Sequence, residues 1–107
     1  MTNAEHQQAD PQSKPWTFLT NHARVLLLIA GNPDTRLRSV AASIGITERA
    51  TQRIVADLEE SGYVSHEKVG RRNRYQIDPS AHLRHPLERS IEIDRLISLF
   101  VARTEGS

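Results

Sequence analysis

The sequence predicts a mostly α-helical α+β fold with a small β-hairpin and an extra C-terminal helix. Three observations predict it. Apolar residues recur at helical spacing in four segments, and Gly or Pro separates them. After Gly62 the apolar period drops from 3.6 to 2 for two short runs. The chain has 107 residues, which gives one domain with a modest core plus a tail or an added helix.

Residues 1–15 are polar, contain Pro11 and Pro15 and show no periodicity, so a disordered N-terminal tail is expected. Trp16, Phe18 and Leu19 open the domain expected over residues 16–79. Thr20 or Asn21 can cap a first helix that runs to about Ala30, and "GNPD" ends it, since Pro33 cannot continue the hydrogen-bond ladder. Val25 to Ala30 is apolar nearly all round, which predicts cover on more than one side, part of it from a second chain.

"TRL", from Thr35 to Leu37, is short enough for a minor strand. Arg38 to Gly45 reads as a short helix with Val40, Ala41 and Ile44 inward and Gly45 as its stop. Ile46 and Thr47 then supply an apolar staple and an N-cap. The next helix spans Glu48 to about Ser61, with Ala50, Ile54 or Val55, and Leu58 as the inner stripe and Gly62 as the stop. Tyr63–Val69 and Arg74–Asp78 read as strands joined by a Gly70–Asn73 loop, with Tyr75 and Ile77 inward. A last helix is expected from Pro86, a favoured first-turn residue, to Arg103.

Charge is uneven. Residues 35–76 hold eight basic and five acidic residues, a balance of +3, whereas the remainder holds six basic and eight acidic, a balance of −2. Localised positive charge of this kind suits a polyanionic partner. "KVGRRNRYQI", from Lys68 to Ile77, places four cations on one hairpin. There is no cysteine, so disulfides, thiol catalysis and thiolate metal sites are excluded. The first residues show no basic-then-apolar secretory signal, and the apolar run "VLLLIA" is far too short to span a membrane. A cytoplasmic, nucleoid-associated protein is expected.

Two helices joined by the tight turn "SIGITE" form a helix-turn-helix signature, and a hairpin directly after it is a wing. On these residues the stretch "LRSVAASIGITERATQRIVADLEESGYVSHEKVGRRNRYQI" resembles a winged helix-turn-helix transcription regulator of the MarR-like or ArsR-like kind. The resemblance covers about two fifths of the chain. Its specific part is the element order, since "LEESGYV" recurs across winged-helix proteins, some of which bind no DNA.

The resemblance implies double-stranded DNA as partner, with the N-terminal half of the second helix in the major groove. That half offers Thr47, Arg49, Gln52 and Arg53 as base contacts. Arg pairs bidentately with guanine and Gln with adenine. Arg49 and Arg53 are four residues apart and share a helix face. A solvated helix face is the plain alternative. Arg36, Arg38 and Ser39, near the start of the short helix, are candidate phosphate contacts, and simple capping explains them nearly as well. Lys68, Arg71, Arg72, Asn73 and Arg74 are the expected wing and backbone contacts. Arg71 and Arg72 project at the tip and Arg74 lies at the base.

Residues 80–107 are expected to dimerise the protein through Leu87, Ile91, Leu96 and Phe100, giving a homodimer and a pseudo-palindromic operator. Packing within the chain is the alternative. A repressor is the expected role, and any small-molecule effector would sit at the dimer interface. His6, His22, His66, His82 and His85 form no ligand-like cluster with carboxylates, so no metal and no cofactor are expected. No nucleophile–base pair, paired carboxylates or phosphate loop appears, and no catalytic residues are assigned. Two other classes stay open: a winged-helix module that contacts protein in place of DNA, and a metal-responsive sensor.

Overall fold

The structure is a computed structural model that describes residues 15–101. Of the disordered tail expected over residues 1–15, residues 1–14, with His6, lie outside the described residues. So does the far end of the expected C-terminal helix.

Helix α1 runs Asn21–Gly31. Thr20 caps it, its hydroxyl oxygen accepting from the Ala23 amide at 3.1 Å. Val25, Leu26 and Ile29 are buried, Leu27 and Ala30 are partly buried, and only Leu28 of the apolar run is open. The second cover predicted for this helix comes from its own chain: α1 packs on every later helix and on the second strand. Asn32 closes it, its amide donating to the Leu28 and Ile29 carbonyls, both at 3.1 Å.

Thr35 and Arg36 form no strand. The nearest thing to sheet pairing there is one bond, from the Tyr75 amide to the Pro33 carbonyl at 3.0 Å. Helix α2 spans Leu37–Ile44 and buries Val40 and Ala41. Gly45 ends it at φ +90°, a left-handed conformation in which a side chain would be strained. Helix α3 spans Glu48–Glu60 after a three-residue turn. Its buried stripe is Thr51, Ile54, Val55 and Leu58, so Thr51 replaces the predicted Ala50, which is only half-buried. A threonine carries a hydroxyl and so does not stand out in an apolar pattern. Here the hydroxyl is satisfied by donating to the Thr47 carbonyl at 3.0 Å.

Strands β1 (Val64–Val69) and β2 (Arg72–Ile77) pair antiparallel, from Val64 opposite Ile77 to Val69 opposite Arg72. The connection is therefore the two residues Gly70 and Arg71, not the four expected. Gly70 takes φ +67°, as the turns that match strand twist require. Arg72 and Asn73 become strand residues as a result. Tyr75 is buried and Ile77 half-buried, whereas Arg72, Arg74 and Gln76 share the exposed face.

The predicted helix from Pro86 to Arg103 is much shorter. Helix α4 spans Ile93–Phe100, residues 84–91 form bends and turns, and Glu92 pairs with His82 in an isolated antiparallel bridge. The reason lies in the backbone. The amides of Ile93 and Asp94, which need partners outside their own helix, donate to the carbonyls of Ala81 and Pro79 at 2.6 and 3.2 Å. The Leu83 amide reaches the Ile91 carbonyl at 3.0 Å. This pairing with residues 79–83 fixes where the helix can start. Leu87 has no core to enter and is 86% exposed. Ile93 and Ile97 join α1, α2, α3 and both strands in one hydrophobic core.

Candidate nucleic-acid interface

The first turn of α3 is held by its cap. Thr47 accepts from the Ala50 amide at 3.0 Å through its hydroxyl oxygen. From this fixed start the burial of Thr51, Ile54, Val55 and Leu58 turns the opposite face outward. That face carries Thr47, Glu48, Arg49, Gln52 and Arg53, all exposed. Among the described residues no hydrogen bond or ion pair engages the side chains of Arg49, Gln52 or Arg53. They form a donor-rich face anchored on a rigid helix.

The other end of α3 is anionic. Asp57, Glu59 and Glu60 stand in its last turn, where the helix dipole disfavours them. Histidines from neighbouring elements hydrogen-bond two of the three. His22 Nε2 of α1 lies 2.9 Å from Asp57 Oδ2, and His66 Nδ1 of β1 meets Glu59 Oε2. The helix is thus cationic where it is free and anionic where it is held. Sequence alone displays the acidic cluster but not its partners, which come from 35 and seven residues away.

Arg36, Arg38 and Ser39 are exposed at the start of α2, and Arg36 makes no side-chain cap bond. On the wing, Lys68 and Arg71 are exposed and engage no partner among the described residues. Arg72 is placed otherwise than expected, whereas Arg74 stands on the expected outward face with Gln76 but is engaged by a neighbour. Arg72 Nη2 donates to the Asp34 carbonyl at 3.0 Å, and Arg74 Nε donates to Asp34 Oδ1 at 2.9 Å. The hydrogen bond and the charge of Asp34 push the Arg74 guanidinium above its already high ordinary value. Arg72 therefore leans back towards the α1–α2 connection instead of projecting from the tip. Asn73 faces inward across from Lys68, and its Oδ1 is buried without a hydrogen-bond partner among the described residues. Asp34 is the residue that sequence reasoning misses, since nothing local marks it as the partner of residues about 40 positions away.

Among the described residues no group of three or more His, Asp or Glu side chains could hold a metal ion. No described helix is long and apolar enough to cross a membrane. The four residues expected at a dimer interface do not share one helix. Leu87 and Ile91 lie on the turns before α4, Leu96 is partly packed on the core, and Phe100 is 59% exposed.

A helix-turn-helix followed at once by a two-stranded wing defines a protein of the winged-helix class. The chain belongs to the MarR family, whose profile matches residues 17–72, just over half of it. The fold is also similar to that of the PcaV transcriptional regulator from Streptomyces coelicolor in complex with its natural ligand. That likeness has a TM-score of 0.51 at 17% identity and covers 97% of this chain and 80% of the other. No curated protein matches the sequence.

Proposed function

We propose that this regulator is a homodimeric repressor that reads a pseudo-palindromic operator, with α3 in the major groove and the wing at residues 70–74 on the minor groove and phosphates. One observation carries the reading: the capped half of α3 presents Arg49, Gln52 and Arg53 exposed and, among the described residues, unengaged. Thr47, at the cap, stands beside them. Bidentate Arg donors and a Gln amide that both donates and accepts suit base edges in the major groove at this spacing. Arg36, Arg38, Ser39 and the wing cations Lys68, Arg71, Arg72 and Arg74 fall to phosphate positioning, with Asn73 supporting the wing from its inner side.

Residues 16–79 form the reading unit and residues 80–107 its docking element. Dimerisation is supported by large apolar side chains left open near the chain's ends: Phe18, Leu87, Leu99 and Phe100 are each more than half exposed. A two-fold pair would set two reading helices about 34 Å apart, one turn of DNA. The protein would work where chromosomal DNA is, in the cytoplasm.

Selection of bound duplexes from a random-sequence pool tests the reading. A palindromic consensus is the expected result. A lone half-site would remove the dimer, and no enrichment would remove DNA recognition and leave the protein-contact module.

A further inference from the structure

The α1–α2 connection is tied to β2 at three points. The Tyr75 amide donates to the Pro33 carbonyl at 3.0 Å, Arg72 to the Asp34 carbonyl at 3.0 Å, and Arg74 to the Asp34 carboxylate at 2.9 Å. One aspartate can hold both arginines because residues two apart on a strand share a face. Asp34 is itself positioned: its amide reaches Asn32 Oδ1 at 3.3 Å. Glu67 lies directly across from Arg74 in the sheet register and adds to the same negative field.

We propose that Asp34 is a specificity-determining residue of the interface, which holds Arg72 and Arg74 back from indiscriminate contact with phosphate. The inference rests on the DNA-binding reading given above. Four cations stand on the hairpin, and Asp34 engages two of them, leaving Lys68 and Arg71 open. On α3 both Arg49 and Arg53 are open. Positive charge is thus left free on the helix that reads bases and partly neutralised on the wing that does not.

Non-specific binding draws nearly all its free energy from phosphate neutralisation, whereas specific binding adds base contacts. A carboxylate beside the wing arginines therefore weakens the first more than the second. The pair is half exposed, with side-chain exposures of 48% and 51%. A pair of that kind is weak and exchangeable. Once α3 has fixed the register, a phosphate can take the place of Asp34.

The test uses the full chain and two probes: a duplex of mixed sequence, and the duplex enriched from the random pool. Asp34→Asn keeps the shape and removes the charge, and Asp34→Ser is a smaller neutral replacement. Both should raise affinity for the mixed duplex, by up to about fivefold, and raise it less for the enriched one, so that their ratio falls. In a chain that also carries Arg72→Gln and Arg74→Gln, Asp34→Asn should change the mixed-duplex affinity much less. If wild type binds the enriched duplex but neither single variant gains affinity for the mixed one, Asp34 is only a strut and the proposal falls. If wild type enriches nothing, the DNA reading falls and this inference with it.

Discussion

The hydroxyl of Thr51 donates to the carbonyl oxygen of Thr47 at 3.0 Å, one turn back along α3. Thr47 also holds the Ala50 amide through its own side chain. Helix α3 therefore begins on a threonine pair, one residue as cap and the other as its fully buried support. Thr47→Ala should lower stability by about 1 kcal/mol, read as a shifted denaturant midpoint with an unchanged slope. Thr51→Val, nearly the same volume, should cost about 1 kcal/mol or less, because the hydroxyl bond goes without opening a cavity.

Reading and positioning should separate in binding experiments. Arg49→Ala or Arg53→Ala should cost roughly 1–3 kcal/mol against the enriched duplex and relax preference at one base pair. Arg71→Ala should instead weaken binding to all sequences and lower the salt slope by about 0.9, the value for one phosphate left unneutralised. Affinities measured over a range of salt on enriched and mixed duplexes check both. Identical effects from the helix and wing variants would contradict the division.

Tyr63 gives a pH signature. Burial raises its phenol above the ordinary value of 10.0, with Arg84 pulling weakly the other way. Its hydroxyl donates to the His82 carbonyl, a bond that requires the protonated form. The folded pKa exceeds the unfolded one. Its contribution is therefore whole below about pH 10 and is lost as pH rises through the folded value. Denaturation at stepped alkaline pH should show this decline. Tyr63→Phe should flatten it, at a cost of about 1 kcal/mol near neutrality.

Leu99 and Phe100 are exposed, at 76% and 59%, while Leu96 is partly packed on the core. Leu99→Glu with Phe100→Glu should therefore leave the fold intact by circular dichroism. In sedimentation the same pair should weaken self-association by about tenfold or more, the scale expected when interface anchors are removed. Leu96→Glu should lower thermal stability as well. Unchanged sedimentation of the double variant would place the docking surface elsewhere.

Much of this architecture is legible along the chain, for physical reasons that differ by element. Helices α1 to α3 are punctuated by local chemistry, with Thr20 and Thr47 as caps and Gly45 and Gly62 as stops, and local chemistry is what a sequence displays. The exposed face of α3 follows from the same periodicity. Sequence and structure part where distant backbone decides. Pro86 has the character of a first helical turn, but carbonyls at Pro79 and Ala81 set the start at Ile93. "GRRN" has the composition of a loop, but ladder bonds run on to Arg72 and leave a two-residue turn. Asp34 carries no local sign of its role, because the arginines that use it are brought to it by folding.

The shared core has a mechanical consequence. Ile93 and Ile97 of α4 lie in the same packed cluster as Ile54, Val55 and Leu58 of α3. Close-packed side chains transmit displacement instead of absorbing it. A displacement of α4 is therefore resisted by the same packed side chains that seat α3, the helix that carries Arg49 and Arg53.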